Sequence, residues 1–484
     1  MNRILATCAA CLFLFPLSAD GKPANYVVTM TDPEAAYLSV DASFDLGSDT
    51  IGMFITRSPQ LPNGQADLIR NLEITRDKQS LEFEDLGQGD WKIEGAEAGQ
   101  RLSVRYDILL DHDQYDWGPG IDEVGYRTAD GLFFTGRSLF MVPGFEIPDG
   151  AEIRFDLPES WQASTPWPNR GDTFIAKTGN DLIRNCLFLG THRTHVVDLD
   201  GFRFTMVMGG NLWDQRQLFV DAMEPILPAA KATFGGMPDQ NQYLVVFNQK
   251  NDQVDGGAFA ASYSMLLKGK INEASSVVWG HLVAHELIHF WNGHTFAPVN
   301  QDEEWLKEGF TDYLTILYRS RVGLDSPPLV YRKIENCLRR YLVSKRLLQS
   351  PSTLQEAGHD KHKQRFLVYG GGTLIGIALD VRIRQATQNE KNLDDFLRAI
   401  FNEFRGNDRG YVLDDVIRIA SQVAGEDQTK FFRDHVAGNE FLDLIPYLES
   451  IGLQVDTALD EFYISVSAEA TPDQTAMRVA MLGH

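Results

Sequence analysis

The chain has 484 residues, of which 43% are hydrophobic and 23% charged, enough to bury several cores in roughly two to four domains. Its 67 acidic against 44 basic side chains leave a formal net charge of −23. That balance argues against nucleic acid and anionic membranes as partners and favours solubility.

Met1-Asn2-Arg3, the apolar run Ile4 to Leu17 and then Ser18-Ala19-Asp20 read as a secretory signal cleaved after Ala19. Residues 1–19 are therefore expected to be removed and the chain exported, to a periplasmic or extracellular compartment. The apolar run is too short for a stable membrane anchor. Cys8 and Cys11 leave with it, and Cys186 and Cys337 remain, either as one disulfide or as two buried free thiols. Residues 20–190 alternate short apolar runs with turn signals at Pro62-Asn63-Gly64, Asp130-Gly131 and Pro148-Asp149-Gly150, which predicts a β-rich domain. In 191–330, strand-like Phe202 to Val207, helical Gln215 to Phe234 and strand-like Tyr243 to Phe247 lead to Gly256-Gly257-Ala258-Phe259-Ala260-Ala261-Ser262 and then to an apolar helix. Residues 331–445 read as mainly helical, with amphipathic stretches at Ile334 to Leu347 and Leu393 to Phe404. No integral membrane segment is expected after signal removal, since Leu374 to Ile383 is interrupted by Asp380 and Arg382. The tail, 446–484, contains a small strand at Phe462 to Val466. Strands first and helices after make the fold class α+β, with a β-rich N-terminal domain and a mainly helical C-terminal one.

The chemistry concentrates at His285-Glu286-Leu287-Ile288-His289 and, after a gap of eighteen residues, Glu308. Residues four apart share a helix face, so His285 and His289 can point at a single ion. Leu282, Leu287, Ile288 and Phe290 would bury that helix beside it. Zinc held by three protein ligands keeps a position for water, whose pKa falls toward about 7, and Glu286 can take that water's proton. The bland alternative is a core helix with two surface histidines. A third histidine at metzincin spacing is missing, because the required positions hold Asn292 and Thr295, with Gly293 and His294 out of register. Among the downstream carboxylates Glu303, Glu304 and Glu308, the last opens an apolar helical run through Phe310, Tyr313 and Leu314 and is the third ligand chosen. Asp312, one turn further, can accept the outer N–H of a ligating histidine, or is a solvated helix charge. His281 reads as a supporting or surface residue. One Zn2+ per chain is expected.

These residues resemble the gluzincin metallopeptidases: HExxH, the eighteen-residue gap, and a glutamate in the setting Trp305-x-x-Glu308-Gly309-x-Thr311-x-Tyr313. Trp291-Asn292 and Leu157-Pro158-Glu159-Ser160-Trp161 resemble the glycyl aminopeptidase branch in particular. The resemblance implies a thermolysin-like zinc catalytic domain. It also implies an oxyanion-stabilising hydroxyl on Tyr369, in Tyr369-Gly370-Gly371-Gly372, where the other reading is a buried aromatic. An edge strand holding the substrate is implied at Gly256, Gly257, Ala258 and Phe259. There the relatives place a glutamate that holds a free amine, and this chain has Phe259. Gly371 likewise stands where they have lysine. The function read from the sequence is a secreted zinc metallopeptidase acting on peptides or unfolded proteins. The alternative is a non-peptidase zinc hydrolase or a peptide-binding protein on the same scaffold.

Overall fold

The computed structural model describes residues 22–53, 61–110, 125–143, 147, 150–249, 255–406, 409–459 and 461–484. The expected leader with Cys8 and Cys11, and most of the Pro148-Asp149-Gly150 turn, lie outside the described residues. In the N-terminal region, strands Tyr37–Asp45 and Arg101–Leu109 bury every second side chain, as the two-residue period of a strand requires. They belong to an eight-stranded sheet in which Ala24–Thr29 lies between Tyr37–Asp45, antiparallel, and Ala151–Asp156, parallel. A second, four-stranded sheet has central strands Gly131–Thr135 and Cys186–Gly190 that are buried on both faces. Leu132, Phe134, Leu187 and Leu189 face the N-terminal core. Phe133, Cys186 and Phe188 face a separate cluster with Val207, Leu244 and Val246 of a third sheet. One buried layer thereby joins the β-rich region to that third sheet, and it accounts for the burial of Cys186, which forms no disulfide among the described residues.

The third sheet has five strands in the order Arg193–Leu199, Phe202–Met208, Gln242–Gln249, Ser262–Leu267 and Asp255–Ala258. Its inner pairings are parallel and both edges antiparallel. A parallel pair needs a crossover, supplied here by Arg216–Met223 and Ile226–Phe234, which split at Pro225 the single helix expected from Gln215 to Phe234. Helix Ser276–Ile288 comes after the sheet and buries Val283, Ala284, Leu287 and Ile288 in one hydrophobic core that extends from Phe202 to Leu482. The regions 191–330 and 331–445 share that core. Within it, the helical run Phe366 to Ala386 is long and apolar enough by composition to cross a membrane, yet 83% of its most apolar window is buried in this fold. Asp380, which interrupts the run, is fully buried and accepts from Arg384 Nε at 2.8 Å, the Tyr313 hydroxyl at 3.0 Å and the Leu393 N–H at 3.1 Å. The tail strand Glu461–Val466 pairs with Leu453–Ala458, and a helix at Pro472–Leu482, for which the sequence raised no expectation, docks through Ser320 Oγ on the Leu482 carbonyl at 2.6 Å.

Two wide π-helical turns, Trp305–Phe310 and Phe366–Gly371, each lead into a longer helix, Thr311–Arg321 and Gly372–Ala386. They meet at glycines. A Cβ on Gly372 would lie 2.1 Å from the Trp305 carbonyl oxygen and 2.9 Å from Gly309 Cα, and one on Gly309 would lie 2.4 Å from Gly372 Cα. All these atoms are backbone, so no side chain can swing away to make room. Gly372→Ala should therefore destabilise the fold by about 1–3 kcal/mol or more through overpacking. A lowered denaturation midpoint checks this, and an unchanged midpoint would show that the helices are not packed this closely.

Candidate metal centre and active site

His285 and His289 lie one turn apart on the end of Ser276–Ile288, both buried, with their Nε2 atoms 3.0 Å apart. Each outer nitrogen has a partner: His285 Nδ1 is 2.9 Å from Asp312 Oδ1, and His289 Nδ1 is 2.8 Å from the Asn292 carbonyl. These acceptors place a proton on each Nδ1 and turn the Nε2 lone pairs inward. Glu308, on the turn Trp305–Phe310, sets Oε2 at 3.3 Å from both Nε2 atoms. Donors about 2.0–2.1 Å from a tetrahedral ion are roughly 3.4 Å apart, so this triangle fits zinc. Among the described residues, His285, His289 and Glu308 are brought together as a possible metal-binding group.

The electrostatics favour positive charge between the imidazoles. Burial opposes the charged form of Glu308, but His289, His285 and Lys361 outweigh it and hold its pKa well below the usual carboxylate range. Burial likewise opposes ionised Asp312, and hydrogen bonds from His281 and His285 override it and lower its pKa. Burial disfavours charged His285 too, yet Asp312 and Glu308 raise its pKa to about 10. The other oxygen of Glu308, Oε1, accepts from Lys361 Nζ at 2.8 Å, with Lys307 Nζ at 3.6 Å. Lys361 also reaches Glu304 at 3.1 Å. Glu308 is thus left one oxygen for a metal.

Glu286 is half-buried, with Leu282 and Val278 at successive positions four residues back along the same helix face. Tyr369, on the turn Phe366–Gly371, stacks its ring 6.0 Å from that of His285 and hydrogen-bonds Glu308. Burial, followed by the carboxylates of Glu308 and Glu286, raises its pKa far above the ordinary phenol value, so the hydroxyl stays a donor. The glycine-bearing edge strand is Asp255–Ala258, shorter than the stretch to Ser262 suggested. Gly256, Gly257 and Ala258 pair there with Met265, Ser264 and Tyr263. Phe259 leaves the strand. It is 6% exposed and packs with Phe188, Val246 and Leu266, on the sheet face opposite the motif helix. Gly371, where the resemblance implies lysine, is packed so that a Cβ would meet Leu354 at 2.7 Å.

Several supporting residues escaped the sequence reading. Asn292 is fully buried, and its amide donates to the Leu306 and Lys307 carbonyls and to Thr311 Oγ1, at 3.3, 3.1 and 3.0 Å. It ties the end of the motif helix to the turn that carries Glu308, while its carbonyl fixes His289. His294, out of register as a ligand, hydrogen-bonds the Ala258 backbone and so links the loop after the helix to the edge strand. His281, by contrast, which the sequence suggests as a supporting or surface residue, shares Asp312 Oδ1 at 3.2 Å and receives Lys333 Nζ at 3.3 Å. Nothing in the sequence marks Lys361, one lysine in a polar stretch. The competing carboxylates are committed elsewhere: Glu303 to the Trp305 indole at 2.6 Å and Gln355 at 2.8 Å, Glu304 to the two lysines. Removing an outer partner of a ligating histidine typically costs 10–100-fold in metal affinity. Asp312→Ala should therefore weaken metal binding by roughly that factor, read by competition with a chromogenic chelator. Equal affinity in variant and parent would leave Asp312 as packing alone.

Residues 25–190 match the Peptidase M61 N-terminal domain. A stretch of 166 residues is 24% identical to Aminopeptidase O of Rattus norvegicus, covering 30% of this chain but only 20% of that protein, so the match spans about a fifth of the relative's length. Among solved structures, the aminopeptidase N family protein from Idiomarina loihiensis superposes with a TM-score of 0.74 at 18% identity, over 90% of this chain and 79% of the other. The M1 zinc metallopeptidase from Deinococcus radiodurans gives 0.54 at 16% identity, over 88% and 95%. At such identities the likeness shows a shared fold. With its N-terminal match, its α+β architecture and its HExxH helix, the chain is gluzincin aminopeptidase-like, with the fold of the aminopeptidase N family structures.

Proposed function

We propose that the chain is an exported zinc metallopeptidase that hydrolyses bonds in peptides or unfolded proteins. The observation that carries the reading is the convergence of three inward-facing donors with a neighbouring carboxylate and a phenol held protonated. His285, His289 and Glu308 would hold one Zn2+, which as a Lewis acid polarises the substrate carbonyl and makes water nucleophilic near neutral pH. Glu286, the residue after the first ligand, takes the attacking water's proton and later delivers it to the leaving amine. Tyr369 donates its O–H to the oxyanion that develops on the substrate carbonyl. Asp312 and Asn292 keep the two imidazoles in orientation, and Lys361 with Lys307 keeps Glu308 from turning both oxygens inward. Export is read from residues 1–19 alone.

The recognition of substrate departs from an aminopeptidase pattern. With Phe259 turned into the core, the edge strand offers no carboxylate at the place where relatives hold a free amine. The edge strand Asp255–Ala258 could hold an extended peptide by main-chain hydrogen bonds, irrespective of its terminal charge.

Metal analysis should return about one zinc per wild-type chain and much less in His289→Ala, as loss of a ligand requires. Equal zinc in both would sink the ligand assignment. Glu286→Gln should keep zinc and fold yet lose nearly all turnover, because an amide accepts no proton there. Tyr369→Phe should lose on the order of a hundredfold in kcat. If wild type and Glu286→Gln both bind peptides and neither cleaves them, the peptide-binding alternative holds instead. Finally, N-acetylated peptides should be cut about as well as free ones. If acetylation abolishes cleavage of an otherwise good peptide, the enzyme reads a free amine after all.

A further inference from the structure

A cavity of about 340 Å³ lies beside the metal centre, between the motif helix and helix Pro327–Leu342. Its volume falls within the roughly 300–1,000 Å³ of small-molecule sites. Val278 and Leu282, which line it, stand two turns and one turn before Glu286 on the same helix face. Ile316 and Leu329 add apolar surface. Asp312, which holds His285, also lines the cavity.

The charged lining is cationic, in a chain whose net charge is −23: Arg332, Lys333 and Arg340 against the single carboxylate of Asp312. That carboxylate is engaged by His281 and His285. Arg332 pairs with Glu335 at 3.0 Å, and Lys333 with Asp325 at 2.6 Å. Arg340 has no carboxylate partner among the described residues. Its guanidinium lies 6.0 Å from the Phe366 ring centroid, and its Cβ lies against Gly370, next to Tyr369. A planar cation at the edge of an apolar cavity suits a carboxylate on an apolar body.

We propose that this cavity binds an apolar carboxylate, with Arg340 pairing its anionic group and Leu282 and Ile316 covering its hydrocarbon. The carboxylate has two possible sources: a peptide substrate's own carboxylate-bearing residue, or a free organic acid. The first rests on the peptidase reading; the site itself does not.

Calorimetry on the full chain with 4-phenylbutanoate and its neutral amide tests it. The acid should bind on the order of tenfold or more tighter than the amide, as a hydrogen-bonded charge pair would give. Arg340→Gln should erase that preference without changing amide binding, Arg340→Lys should keep part of it, and Leu282→Trp, which fills the cavity, should abolish binding of both. Equal binding of acid and amide, no binding of the acid, or a preference that survives Arg340→Gln would overturn the proposal. In peptide hydrolysis, competitive inhibition by the acid assigns the cavity to the substrate's carboxylate, and non-competitive inhibition to a separate organic acid. Should no peptide be cleaved at all, the peptidase reading fails while calorimetry still decides the site.

Discussion

Glu308 is a carboxylate with almost no access to water, and everything around it is arranged to make its charge tolerable. An unpaired buried carboxylate would take up a proton. Here one oxygen faces two imidazoles and the other two lysines, so the group stays ionised. Holding these four nitrogen-bearing partners on one side chain, besides the Tyr369 hydroxyl, requires three chain segments to meet: the motif helix, the turn at Trp305–Phe310 and the loop with Lys361. The Gly309–Gly372 contact brings a fourth, the turn that carries Tyr369. Steric smallness at two glycines and charge compensation at one glutamate are thus parts of one constraint.

Much of this was legible in the sequence because it depends on local period. Four-residue spacing places His285 and His289 on one face, and the apolar flanks bury that face. Asp312 lies one turn beyond Glu308, and its carboxylate is found at His285 Nδ1. Strand alternation in the first 190 residues and the amphipathic stretches after residue 330 were visible for the same reason. Lys361, Asn292 and the joining of regions 191–330 and 331–445 in one core were not, because each depends on contacts between distant segments. Asp380 shows the limit well. In sequence it breaks an apolar run; in the fold it is fully satisfied by Arg384, Tyr313 and the Leu393 N–H.

Phe259 illustrates a different limit. A strand prediction implies that alternate residues face alternate sides, but it does not say where the strand stops. The edge ends at Ala258, Phe259 donates its N–H to the Ser262 carbonyl at 2.7 Å, and the chain turns back. The side chain then joins the layer built by Phe133, Cys186 and Phe188. Phe259, which the resemblance sets at the place of a recognition glutamate, is part of the contact between the β-rich region and the five-stranded sheet. Restoring a carboxylate there would therefore place a charge in an apolar cluster before it could meet any substrate.

Behind the metal centre the polar contacts continue outward: Asp312 to His281, His281 to Lys333, Lys333 to Asp325, and Asp325 to Arg319, which donates to the Gly280 carbonyl at 3.0 Å. His281, whose pKa burial lowers, stands between the Asp312 carboxylate and the Lys333 ammonium, and Asp325 stands between Lys333 and Arg319, so each buried charge finds a partner within hydrogen-bond reach. The network also links three helices, because its members come from Ser276–Ile288, Thr311–Arg321 and Pro327–Leu342, with Asp325 on the loop before the last. Asp325 is held from two sides, by Lys333 and by Arg319, so removing Lys333 still leaves it one cation, whereas removing Asp325 takes the carboxylate from both. Asp312, the partner of His285 Nδ1, thus belongs to a chain of contacts that reaches Arg319, and the candidate metal centre shares its support with the packing of these helices.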